Sequence, residues 1–92
     1  MRKSVFTPEY GALRAEICAA RARAGLSQRD LARRLKVPHS WVAKVESGER
    51  RIDFVECCWF FAACGIDPLS PLTKLVREMR LRRPQGSRKG AL

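Results

Sequence analysis

The chain has no run of about 18 apolar residues, the length a membrane-spanning helix needs, so its 92 residues predict a cytoplasmic protein with no membrane contact. The opening stretch, MRKSVFTPEY, carries two bases but no apolar segment behind them, which argues against a secretory signal. Histidine is almost missing: the chain has one. No acid–base pair can be assembled around it, and no glycine-rich phosphate loop is present. No catalytic residue and no cofactor are therefore expected. The four cysteines, Cys18, Cys57, Cys58 and Cys64, lack metal-ligand spacing, which predicts no metal site. Cys57 and Cys64 lie one heptad apart on one helical face and read as small buried hydrophobes, reduced in the cytosol. A redox role at Cys58 or Cys18 is the less favoured alternative.

Acids are also scarce. Asp plus Glu number 9 against 19 Lys plus Arg, a formal charge of +10. A chain this basic needs a polyanion or must tolerate self-repulsion. The bases are segregated. Residues 53–68 hold Asp53, Glu56 and Asp67 and no Lys or Arg, whereas bases crowd residues 27–51 and the stretch from Lys74 to Lys89. Such clustering is the electrostatic footprint of nucleic-acid binding.

There are no internal repeats, and 92 residues make one small core. Thr7-Pro8-Glu9 is a helix start: a cap, a proline at the first helical position and an acid at the positive end of the dipole. Tyr10, Leu13, Ile17, Ala20 and Ala24 then form an inward stripe, and Gly25 ends the helix. Asp53 and Glu56 have capping-box spacing and open a fourth helix that Gly65 stops. Val55, Trp59 and Ala62 make that helix apolar nearly all round, so both of its sides should be covered. Ser70 and Pro71 are read as the cap and first residue of a fifth helix to about Leu81, with an apolar stripe of Leu72, Leu75, Val76 and Met79. Residues 1–6 are expected to be a flexible arm and residues 82–92 a basic disordered tail. The domain between them, residues 7–81, is predicted to be all-α with five helices.

Between the first and fourth helices lies the most informative stretch, LSQRDLARRLKVPHSWVAKVESG, from Leu26 to Gly48. Ser27 can cap a helix by accepting from the Asp30 amide. Leu31, Ala32 and Leu35 share one face. Pro38 disfavours helical geometry at Val37 and so breaks the run. A second helix follows from about His39 to Ser47, with Val42 and Val45 inward and Gly48 as a left-handed stop. Two short helices this close bury those residues only by crossing steeply, which is a helix-turn-helix. The pieces Gly25-Leu26-Ser27-Gln28, Leu31-Ala32 and Glu46-Ser47-Gly48 resemble the lambda-repressor-like, Cro/C1-type (XRE) DNA-binding domain over roughly residues 9–66.

That resemblance implies double-stranded DNA as partner, with the second helix of the motif in the major groove. It places His39, Ser40, Ala43 and Lys44 at base-reading positions. His39 can donate or accept, depending on its tautomer. Backbone contacts are implied for Ser27, Gln28, Ser47, Arg50 and Arg51, and Trp41 is expected against a sugar-phosphate strand. Arg21 and Glu46 occupy positions that pair in the family. Phe54, Cys57, Phe60, Phe61 and Cys64 are placed in the core. Two residues depart from the family pattern. Lys36 replaces a glycine in the turn, and Pro38 replaces the Ser or Thr cap. The expected function is a transcriptional regulator of bacterial or phage type, acting as a homodimer on an inverted repeat. Trp59, Leu72, Leu75, Val76 and Met79 are the interface candidates. Alternatives are an antitoxin that also masks a toxin, and a protein-interaction module that keeps the fold.

Overall fold

A computed structural model describes residues 7–81. They form α1 (Pro8–Arg23), α2 (Gln28–Leu35), α3 (His39–Ser47), α4 (Phe54–Ala63) and α5 (Leu69–Leu81), with no strand among the described residues. The arm 1–6 and the tail 82–92 lie outside them. No helix among the described residues is long and apolar enough to cross a membrane.

Local chemistry sets the helix ends. Thr7 accepts from the Tyr10 amide at 3.1 Å and starts α1. Ser27 with Asp30 and Asp53 with Glu56 both form reciprocal capping boxes, so two orphan amides are satisfied at each of these starts. α5 begins earlier than the Ser70–Pro71 expectation. The Asp67 carboxylate accepts from the Leu69 amide at 3.0 Å and so anchors the start of the helix, while Pro71 is buried inside it.

α2 and α3 pack most closely on each other, α1 runs behind α3, α4 and α5, and α2 leans on α4. The centre is Phe60, Phe61, Ile17, Leu31, Val42 and Val45, all but inaccessible to solvent. Two expectations about this core are corrected. Ala24 is exposed, because it is the cap residue of α1 and no longer on its stripe. Phe54 is 70% exposed. It is the first residue of α4, and the core edge there is already filled by Ile52, whose amide donates to the Tyr10 hydroxyl at 3.0 Å. Leu75 is buried rather than outward, and Leu72 packs partly against the core. A salt bridge from Lys74 to Glu16 at 2.7 Å also ties α5 to α1.

The turn between α2 and α3 carries backbone strain. Lys36 caps α2 at φ 59 and ψ 46, the left-handed region. A side chain there costs roughly 1 kcal/mol relative to glycine, partly offset by positive charge beside the helix C-terminus. Lys36→Gly should therefore raise unfolding stability by about 0.5–1 kcal/mol in denaturant titrations. A decrease would show that the turn is unstrained.

Candidate nucleic-acid interface

α3 is held by its underside. Val42 and Val45 are fully buried, Glu46 is buried with them, and the side chains of His39, Ser40, Lys44 and Ser47 stand in solvent. Ala43 is half-buried between the two faces. The helix starts at Pro38, which has the extended geometry of a cap but offers no side-chain bond, so the first turn begins at His39 without a hydroxyl across it.

A buried ionic network fixes the orientation of this helix. The Arg21 guanidinium forks onto Glu46: Nε donates to Oε2 at 2.6 Å and Nη2 to Oε1 at 2.9 Å. Its remaining Nη1 donates to the Leu26 carbonyl at 2.8 Å, just before the cap of α2. Gln28 Nε2 donates to Glu46 Oε1 at 3.0 Å, so α1, α2 and α3 meet on one carboxylate. From Gln28 the network continues outward: its Oε1 lies 3.2 Å from His39 Nε2. Burial pushes the Glu46 carboxyl up, but the bonds from Arg21 and Gln28 outweigh it and hold it below the usual carboxylate value.

The C-terminal end of α3 is closed by groups the sequence left unassigned. Arg14 Nε donates to the Glu46 carbonyl at 3.3 Å, a cation where the helix dipole is negative. Gly48 follows at φ 87, and a Cβ there would sit 3.0 Å from the Arg14 guanidinium. The left-handed backbone favours glycine, and any side chain there would also have to displace the Arg14 guanidinium slightly. The Ser47 hydroxyl donates to the Lys44 carbonyl at 3.2 Å.

Arg50 and Trp41 sit differently from expectation. Arg50 does not stand out toward a strand. It pairs with Glu56 at 3.1 and 3.3 Å and lies over the Trp41 ring at 5.1 Å. That contact holds the Glu56 carboxyl below its usual value. The Trp41 ring is half-buried and packs against the edge of the core. With Leu35, Val37 and Trp59 it lines an open cavity of about 420 Å³ between α2 and α4, and Arg34 and Glu56 complete the lining. Arg34 donates to the Ala63 carbonyl at 2.8 Å and so joins the two helices. Arg51 is exposed, with its guanidinium 5.2 Å from the Tyr10 ring centre.

Two apolar surfaces face solvent. α4 presents Phe54, Val55 and Trp59, the last 60% exposed, and α5 presents Val76 and Met79. Of the four cysteines, Cys57 and Cys64 are buried, and burial pushes the Cys57 thiol up to about 11. Cys18 and Cys64 are raised by burial as well, so these three thiols are poor nucleophiles.

Five helices, α2 and α3 packed closely on each other across a short turn, and a solvent-facing α3 beside clustered bases define a DNA-binding domain of the helix-turn-helix class. Residues 12–68 match the helix-turn-helix domain family, and the chain belongs to it. The Cro/C1-type resemblance agrees with that membership. No curated protein matches the chain.

Breaking the network should cost stability at once. Glu46→Ala takes the carboxylate from a half-buried Arg21 guanidinium, which keeps only its bond to the Leu26 carbonyl, and should lower unfolding free energy by about 2–3 kcal/mol. The depressed carboxyl sets the pH dependence. A carboxylate held below its unfolded value contributes stability that is full above the ordinary range near 4.5 and is lost as pH falls through the lower, folded value. Melting temperature should thus drop on acidification, and Glu46→Gln should flatten that drop. Parallel acid profiles for the two proteins would contradict the assignment.

Proposed function

We propose that the protein is a sequence-specific regulator of transcription that binds double-stranded DNA through α3 in the major groove. The observation that carries this reading is the two-sidedness of α3. Its underside is sealed and ionically locked, and its outer face offers His39, Ser40 and Lys44 to solvent with no apolar residue among them. In this reading Lys44 donates to guanine O6 or N7, Ser40 serves either strand of a base pair, and the Ala43 methyl meets thymine. Ser27, Gln28 and Ser47 contact phosphate at the ends of α2 and α3, with Arg51 beside them. Arg50 and Trp41 act indirectly: packed together, they support the loop after α3 that carries Arg51.

One module touches too few bases for a long site, so the protein acts as a homodimer on an inverted repeat, half-sites about one helical turn apart. With Leu75 in the core, the dimer surface on α5 reduces to Val76 and Met79, 51% and 45% exposed, with Leu72 at its edge. The exposed α4 row of Phe54, Val55 and Trp59 favours a second reading, in which the domain also masks a protein partner such as a toxin.

Neutralising about 6–8 phosphates per dimer predicts a log–log salt dependence of DNA affinity with slope near −6; a slope near zero overturns the reading. Sedimentation at micromolar concentration should give a dimer on DNA that Val76→Glu with Met79→Glu converts to a monomer. If Trp59→Glu instead abolishes dimerisation, α4 is the interface. If Trp59→Glu leaves both dimer and DNA binding intact while a toxin complex is lost, the second reading holds.

A further inference from the structure

We infer that Gln28 holds His39 with its proton on Nε2, so that residue 39 presents Nδ1 to the groove as an acceptor and selects a base with an exocyclic amino group. The inference rests on the reading of α3 as the base-contacting helix and adds to it a named chemistry at one position.

An ionised carboxylate only accepts, so the Gln28 atom 3.0 Å from Glu46 Oε1 is its amide nitrogen. The lowered Glu46 carboxyl, itself held by the Arg21 fork, keeps that end charged. The Gln28 amide is thereby oriented, and its oxygen faces His39 Nε2 at 3.2 Å. An amide oxygen also only accepts, so the proton between them belongs to the imidazole. A neutral ring with hydrogen on Nε2 has its lone pair on Nδ1. His39 is exposed, and among the described residues Gln28 is the only hydrogen-bond partner of its ring.

In the major groove adenine N6 and cytosine N4 are donors, whereas guanine O6 and N7 and thymine O4 are acceptors. A lone pair on Nδ1 attracts the first two and repels the second two. Gln28 is thus a positioning residue: it touches no base in this role but sets which bases residue 39 accepts. The same amide also couples the choice to the Arg21–Glu46 lock, so the chain that orients α3 also orients its first reading group.

Two measurements test this on the full chain. The first is selection from random duplexes at pH 8, above the ordinary imidazole range, with wild type, His39→Ala and Gln28→Met. At the position whose preference His39→Ala abolishes, wild type should enrich adenine or cytosine about five- to tenfold over guanine and thymine, the lower end of what one base contact gives. Gln28→Met, which also removes a phosphate contact and a bond to Glu46, should weaken binding to all sequences alike but reduce that ratio in particular, to about twofold or less. The second needs no variant. The chain has a single histidine, so its imidazole nitrogen spectrum is unambiguous. Nε2 should be protonated and Nδ1 bare, with and without DNA. Enrichment of guanine or thymine at that position, a proton on Nδ1 in the complex, or a ratio unmoved by Gln28→Met overturns the inference while sequence-specific binding stands. No enrichment of any sequence by wild type overturns the DNA reading itself.

Discussion

One carboxylate organises this domain. Glu46 lies on the buried side of α3, accepts two bonds from Arg21 and one from Gln28, and so gathers three helices on a single charged group. A buried charge is tolerable only when its lone pairs are used, and here three donors meet it. That requirement makes the network directional. Apolar packing of Val42 and Val45 fixes the depth of α3, but side chains of that kind tolerate small rotations. The fork on Glu46 and the Arg14 bond to its carbonyl do not. Rotation of a recognition helix by a few degrees moves its outer side chains across a base pair, so a hydrogen-bonded lock is worth more here than added apolar area.

The motif also departs from the strain-free pattern at its turn and its cap. Lys36 adopts a left-handed backbone, and Pro38 starts α3 without a side-chain acceptor. Both lower the intrinsic stability of the α2–α3 unit. The compensation is tertiary: the Arg34 bond to the end of α4 and the Arg50 pair with Glu56 bind the motif to α4, and the Arg50–Trp41 stack ties the following loop back onto α3. The family resemblance explains why those positions lie near one another. The particular bonds belong to this chain, which has exchanged glycine and a hydroxyl cap for lysine and proline.

Much of the fold was legible because its signals are local. Ser27, Asp53, Pro8 and Gly48 mark helix ends through contacts within four residues, and the apolar stripes of α1 and α2 repeat at helical spacing. The misplacements share a cause. Phe54 and Ala24 lie at helix termini, where periodicity continues on paper but the core has already ended. Leu75 and Val76 belong to one stripe in sequence, yet α1 covers only the first. The pairing of Arg50 with Glu56, six residues further on, had no signal in the spacing.

The amino-acid order alone determined the class: five helices, an excess of positive charge in two blocks and a helix–turn–helix spacing, since local capping, periodicity and charge are properties of neighbours along the chain. The tertiary structure decided which groups those helices lend to the outside. The direction of the Gln28 amide, the pairing of Arg50 with Glu56, the half-burial of Trp41 and the burial of Leu75 depend on groups that meet only in the fold. Each is settled by which groups meet once the helices pack, donor against acceptor or apolar surface against apolar surface, a matter on which linear spacing is silent.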